Sequence, residues 1–311
     1  MIIIERYSKD KMEIWDAFVE ASKNGTFMLK RGYVDYHYDR FKDHSLLFYN
    51  DDKLVALLPA SIHDTELRSH GGLTYGGLIM SNSVTAQMAI TIFEELQNYL
   101  KEKQIEKLLY KRVPSIYCQY PSDEDLYALY RVGANLVRRD ISSTIYLPDK
   151  IKFSERRRRG SKQAKKQGIE VRRTDDYESY IALLSDILSK YHNTKPVHTA
   201  DELKLLAERF PANIHLYAAF LEDKMMAGVV VYDTKQVAHA QYIANSDEGR
   251  QCGALDAVMD YLINTKYADK KYFDFGISTE NNGLYLNEGL VTQKQEFGAR
   301  GIVYDFYELK V

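Results

Sequence analysis

Cysteine, proline and tryptophan are all scarce in this chain of 311 residues, with two, six and one copies. Cys118 and Cys252 alone make neither a disulfide framework nor a four-cysteine zinc site. The reducing cytoplasm is therefore the expected compartment. Six prolines beside 17 glycines leave little room for long linkers. Charge of one sign is also lacking, since 42 Lys+Arg meet 44 Asp+Glu for a net charge of −2. No global field would hold the chain on nucleic acid or a membrane, so any polyanion site must be local. Long apolar runs are missing too. The longest uncharged stretch, Gly71 to Phe93, holds four Gly and seven Ser, Thr, Asn or Gln. It reads as a Gly-rich strand, a turn and the start of an amphipathic helix, so no membrane span is expected. Met1–Arg6 lacks the apolar core of a signal peptide. The expected location is cytoplasmic, free or peripheral at the inner membrane face.

What is present is an ordinary globular balance, 45% hydrophobic and 28% charged, with tyrosine unusually common at 25 copies. The length favours two domains. Alternating and helical periodicities give an ordered series of elements. In the first half, strands are expected near Leu46–Tyr49, Lys53–Ile62, Glu66–His70 and Leu73–Ile79, with a hairpin turn at Asn50-Asp51-Asp52. Helices are expected over Tyr33–Phe41 and from Val84 to Lys103, the latter capped by Ser83. In the second half, a basic helix at Phe153–Gln167 leads into strands at Ile214–Leu221, Lys224–Tyr232 and Gln236–Ala244. A helix at Arg250–Lys266, a strand at Lys271–Ile277 and a helix at Leu284–Glu296 follow. Thr199 and Glu202 form a capping box. Asp51-Asp52-Lys53-Leu54-Val55-Ala56 recurs as Glu222-Asp223-Lys224-Met225-Met226-Ala227, each copy entering the same order of elements. The halves read as a diverged duplication with a boundary near Pro148-Asp149-Lys150.

Several residues stand out chemically. Asp274 alternates with Phe273 and Phe275, so a carboxylate lies on an apolar strand. It either deprotonates or holds an amine, or pairs with a neighbouring base. His239 is a base of near-neutral pKa or a satisfied core histidine. His198 stands before a helix cap, where it reaches a cleft or only packs. Ser278 and Glu280 follow a strand end, where they bind substrate or cap a turn. His70 and Tyr75 lie in the Gly-rich segment 69–77, which is either a close approach to a ligand or a bulged hairpin. No set of the eight histidines has metal-ligand spacing, so no metal is expected. The basic run is the strongest signal. Arg158, Lys162 and Lys165 share a helical face with Lys166. Such a stripe suits the phosphate or pyrophosphate of a nucleotide-sugar, a lipid-linked sugar, CoA or RNA. Otherwise it is a solvated face.

The segments Tyr272-Phe273-Asp274-Phe275-Gly276-Ile277-Ser278, Lys294-Gln295-Glu296-Phe297-Gly298-Ala299 and Tyr304-Asp305-Phe306-Tyr307 complete a pattern: an aspartate–glycine strand, a helix with lysine, and a Phe-Gly exit. With the element order, it resembles the Fem-type (FemA, FemB, FemX) transferases and bacterial envelope-polysaccharide acyltransferases, which have a tandem GNAT fold. The resemblance implies an α/β (α+β) chain of two tandem GNAT-like units, each a mixed, mostly antiparallel sheet flanked by helices. Residues 1–150 would be a degenerate, acceptor-side unit and 151–311 the catalytic, donor-side unit. It implies an N-acyltransferase moving an acyl group, acetyl above all, from acetyl-CoA or another acyl-CoA onto an amine. The amine would belong to an amino sugar or a cell-envelope precursor. The alternatives are a Fem-type transferase with charged tRNA as donor, or a non-catalytic polyanion-binding module using the basic helix. A homo-oligomer is left open. In the family the donor carbonyl lies where two strands splay, and its pyrophosphate meets a helix N-terminus. Arg250-Gln251-Cys252-Gly253-Ala254-Leu255 resembles that loop but departs from it at Leu255. Arg250, Gly253, Ala254 and Tyr242 are the implied donor contacts. Tyr285-Leu286-Asn287-Glu288-Gly289-Leu290 resembles the family's Tyr-x-x-x-Gly-Phe helix, making Tyr285 the general acid. A second alignment runs that helix through Lys294 and Phe297.

Overall fold

The turn expected at Asn50-Asp51-Asp52 closes a hairpin, with Asp51 at φ 49°. It is seen in a computed structural model that describes residues 1–192 and 194–311, with His192 described by its backbone alone. The chain divides into two units. One comprises Met1–Ile141, Thr279–Tyr285 and Val303–Val311; the other comprises Ser142–Ser278 and Leu286–Ile302. The change of unit thus falls inside a strand at 141/142, whereas the Pro148-Asp149 turn near residue 150 only ends that strand.

In the first unit, β1 (Ile2–Arg6), β2 (Leu46–Asn50) and β3 (Lys53–Leu58) form an antiparallel sheet. β4 (Ser61–His63) and β5 (Glu66–Arg68) leave it, and β6 (Ile79–Met80) returns to pair with β3. Helices α1 (Met12–Ala21), α2 (Arg31–Val34) and α3 (Ala86–Glu102) accompany these strands. The stripe Ala89, Ile92, Phe93, Leu96 and Leu100 buries α3 against Phe48, Val55 and Leu58. The α3 cap is the Thr85 hydroxyl, which accepts from the Met88 amide, and not Ser83. The helix expected over Tyr33–Phe41 is shorter, as α2 gives way to a 3₁₀ turn at Asp35–His37. β7 (Lys107–Lys111) pairs in parallel with β5, and α4 (Glu124–Arg131) leads into β8 (Asn135–Tyr146). The strand expected at Leu73–Ile79 is mostly irregular. Lys111 Nζ donates to the carbonyls of His70, Gly71 and Leu73 at 3.2, 3.0 and 2.9 Å. A side chain thus satisfies carbonyls that a ladder would otherwise hold.

The second unit opens with α5 (Glu155–Lys166), β9 (Glu170–Thr174), α6 (Tyr177–His192) and α7 (Ala200–Arg209). Thr199 and Glu202 form the expected capping box on α7. β10 (Ile214–Leu221), β11 (Lys224–Asp233) and β12 (Val237–Asn245) make an antiparallel meander beside β9. The expected helix at Arg250–Lys266 is broken into α8 (Asp247–Cys252) and α9 (Ala254–Tyr261), because Gly253 sits at φ 77°. β13 (Tyr272–Ile277) then pairs in parallel with β12 and antiparallel with the end of β8. Short strands β14 (Thr279–Glu280) and β15 (Tyr285–Leu286) precede α10 (Glu288–Gln295) and the long β16 (Arg300–Lys310).

Helix α5 lies directly on the start of α9. A Cβ on Gly253 would stand 2.3 Å from the Gly160 carbonyl oxygen, and one on Gly160 would stand 1.9 Å from Asp256. Only glycine permits both the left-handed turn and this approach. Gly253→Ala is expected to destabilise the protein by about 2–4 kcal/mol, combining αL strain with overpacking. Thermal unfolding checks it; an unchanged melting temperature would contradict the packing described.

Candidate active site

β12 and β13 are paired only at Val237–Tyr272, Ala238–Phe273 and His239–Asp274, after which the ladder stops. Three local features end it. β12 carries a bulge where Val230 faces Tyr242 and Val231 faces Ala240, leaving Gln241 extra. β13 loses register with β8 between Asp274 and Ile277. Gly276 adopts φ 76°, which turns the strand away. The carbonyls of Gly276 and Ile277 then need partners, and Lys294 on α10 supplies them at 2.9 and 2.7 Å. One of its three N–H donors is left for a ligand. Burial lowers the Lys294 ammonium to about 8, against the opposing pull of Asp274.

Beyond the parting point is a cavity of about 390 Å³, lined by Ile243, Arg250, Phe275, Leu290, Lys294 and Phe297 among others. Arg156 and Arg157 also reach it. Arg157 pairs with Asp256 and Glu296, both at 2.8 Å, and lies 4.7 Å from the Phe297 ring. Its place is legible in hindsight: Phe153, Arg157, Gly160 and Ala164 repeat at helical spacing, so this one arginine of the basic run turns inward.

Asp274 is fully buried and anchors a network. It accepts from Ser142 Oγ at 2.5 Å and Thr144 Oγ1 at 2.7 Å, and its other oxygen meets His239 Nδ1 at 2.8 Å. Burial alone would raise its pKa, but His239, Ser142 and Thr144 outweigh it and hold the carboxyl at about 2. A carboxylate so stabilised and so enclosed is a poor base, and its geometry is that of a group that orients His239. Ser142 and Thr144 were missed from sequence. Their signal was a run of three hydroxyl residues, Ser142-Ser143-Thr144, between Ile141 and Ile145 near the end of a strand.

The other expected residues scatter. Tyr285 stands on β15, 53% exposed, in the segment belonging to the first unit. It is not on the helix expected over Leu284–Glu296, because Asn281, Asn282 and Gly283 hold positive φ and Asn287 caps α10 at Leu290. The helix reaches the cavity instead through Leu290 and Lys294. Tyr242 bonds through its hydroxyl to His198 Nδ1, and burial pushes the phenol up to about 12. Arg250 lines the cavity, pairs with Asp247 at 3.3 Å and lies 4.5 Å from the Tyr191 ring. Gly253 borders the same cavity while packing on Gly160, and Ala254 is buried. Ser278 is buried, while Glu280 is exposed on β14. In the first unit, Tyr75 is core, bonded to Thr26 at 3.1 Å, and His70 is buried against His37 with ring centroids 5.2 Å apart. Burial lowers His70 to about 3. Arg158 pairs with Glu155 and, with Lys162, borders a hollow of about 490 Å³; Lys165 is exposed.

Residues 152–282 match the family described as the Acetyltransferase (GNAT) domain. The chain carries a GNAT domain. Solved structures extend the likeness to the whole chain. FemX is 11% identical, with a TM-score of 0.70 over 99% of this chain and 97% of that one. L-PGS from Bacillus licheniformis is 13% identical, with a TM-score of 0.62 over 96% and 91%. A tandem GNAT protein from the clavulanic acid biosynthesis pathway is 10% identical, with a TM-score of 0.50 over 100% and 98%. No curated protein matches the sequence. The fold is thus the tandem GNAT fold of the Fem type, and the GNAT domain makes the chain an acyltransferase. Among the described residues, no helix is long and apolar enough to cross a membrane.

The Asp274 network carries a pH signature. Its folded-state pKa lies below the ordinary carboxylate value, so its contribution is fully present above about pH 4 and is lost as pH falls towards 2. That contribution is about 2 kcal/mol. Asp274→Asn is expected to remove it, so the stability gap between the two proteins should narrow between pH 5 and pH 2. A constant gap in acid unfolding would contradict the network.

Proposed function

We propose that the second unit joins an acyl group to an amine, with the donor carbonyl lying in the gap beyond His239 and Asp274. The supporting observation is Lys294, a cavity-lining ammonium whose remaining donor is available where the strands part. The amine nitrogen attacks the acyl carbon, the bond to the carrier oxygen or sulfur breaks, and the proton lost by nitrogen goes to that leaving atom. Lys294 stabilises the negative oxygen of the tetrahedral intermediate. His239, oriented by Asp274, takes the amine proton, and Asp274 acts as a positioning residue. The acceptor is the amino group of an amino sugar or another cell-envelope precursor.

The donor is an acyl-CoA or the aminoacyl ester of a charged tRNA, and the charges around the cavity suit either carrier. A pyrophosphate would sit at the start of α9, where Gly253 packs on the carbonyl of Gly160 in α5 and, with Arg156 and Arg250, also borders the cavity. Asp247 and Glu248 occupy the first turn of α8, where they are paired with Lys190, Arg250 and Lys224. The exposed cations of α5 remain for a polyanionic carrier. Lys150, Lys152, Arg158 and Lys162 border one hollow beside that helix.

Two measurements follow. Turnover with an aminoacyl-tRNA and with acetyl-CoA, each with an amino-sugar acceptor, identifies the donor by mass spectrometry. Lys294→Met is expected to lower kcat by roughly 10²–10³-fold. In the natural protein kcat should fall as pH rises through about 8, where Lys294 loses its proton. Full turnover in Lys294→Met would refute the assignment. Separately, reversing Lys162 and Lys165 to Glu should weaken carrier binding and flatten its dependence on salt. An unchanged salt slope would return the basic helix to a solvated face.

A further inference from the structure

At the opposite end of β13 from the parting point lies a hollow of about 190 Å³ bordered by Thr144, Tyr146, Asp149, Tyr272 and Arg300. Tyr146 and Tyr272 are register partners on β8 and β13, so their side chains share a face of the sheet. Their ring centroids are 5.7 Å apart and tilted by 51°. Tyr146 is 48% exposed, so the pair is not absorbed by the core. Asp149 and Arg300 are exposed. Arg300 donates one N–H to the Ala299 carbonyl at 2.7 Å, which leaves most of its fork for another partner.

We propose that this hollow binds one hexopyranose ring, and that the ring is the sugar of the amino-sugar acceptor. The second clause rests on the acyl-transfer reading above. A pyranose has an apolar face of C–H bonds whose hydrogens carry slight positive charge. That face meets the negative faces of two tyrosine rings. Its rim of hydroxyls needs both acceptors and donors, which the Asp149 carboxylate and the Arg300 guanidinium supply. The volume lies below the roughly 300–1,000 Å³ of drug-sized sites, which suits a single ring. The tilt decides between two ring ligands. A flat nucleobase stacks best on a flat platform, whereas an open V accepts a puckered ring. The place is apt for an acceptor, since Thr144 borders the hollow and bonds to Asp274 at 2.7 Å. Tyr272 and Asp274 are two residues apart on one strand face, about 7 Å.

The test is ligand-observed saturation-transfer NMR on the full chain without any acyl donor, with D-glucosamine and AMP as probes. D-Glucosamine is expected to bind, with saturation strongest at its ring C–H protons. Tyr146→Ala and Tyr272→Ala should each weaken it about ten-fold. Tyr272→Phe, which keeps the ring, should retain affinity within about two-fold. If Tyr272→Ala fails to fold, Tyr146→Ala, at an exposed position, carries the comparison. Absence of glucosamine binding, unchanged binding in Tyr146→Ala, or displacement of glucosamine by AMP would each overturn the sugar subsite. Because binding is read without a donor, these results leave the acyl-transfer reading standing. Sugar that binds at the tyrosines but is never acylated by the active enzyme would overturn its role as acceptor alone.

Discussion

The site depends on a sheet that is prevented from closing. Two parallel strands that pair at three positions and then part leave backbone groups exposed, which is costly in a buried place unless something else bonds to them. Lys294 is that something. Its ammonium stands in for the missing strand by taking the carbonyls of Gly276 and Ile277. The cation that stabilises the opening is therefore the cation that faces the cavity, and the cost of burying it is part of the cost of the site. Asp274, four-square in its hydrogen bonds at the last paired position, fixes where the parting begins.

The same opening explains how the flanking helices are arranged. α9 must approach the meander closely enough to bury Leu255, Val258 and Met259. α5 must approach α9 closely enough for Gly160 and Gly253 to meet. That closeness gives the cavity a firm wall and places Arg157 against Phe297. Gly253 at the start of α9 also borders the cavity.

Much of this architecture was legible in the residues. Strands β10, β11 and β12 and their hairpins followed from alternation and turn chemistry, and the Thr199–Glu202 capping box stood in plain view. Asp274 and His239 were singled out as separate candidates. Their contact was not legible, because a parallel register joins residues 35 positions apart. The helix over Leu284–Glu296 was misplaced at its start. The sequence periodicity there is real, but Asn281-Asn282-Gly283 adopts left-handed backbone angles that local composition only hints at. Gly253 was assigned to an anion cradle on motif grounds; it borders the cavity and also lets two helices pack closely. Glycine signals a close approach without saying to what. Arg157 was hidden inside a run of four arginines, where charge counting masks the one position that turns inward.

The account stands or falls on where the donor carbonyl sits. The most direct measurement is a crystal structure with a donor analogue whose labile ester or thioester is replaced by a stable amide. Its carbonyl oxygen should lie about 3 Å from Lys294 Nζ, between the diverging ends of β12 and β13. An analogue bound with its carbonyl outside that gap, and with Lys294 still turned wholly to Gly276 and Ile277, would contradict the account.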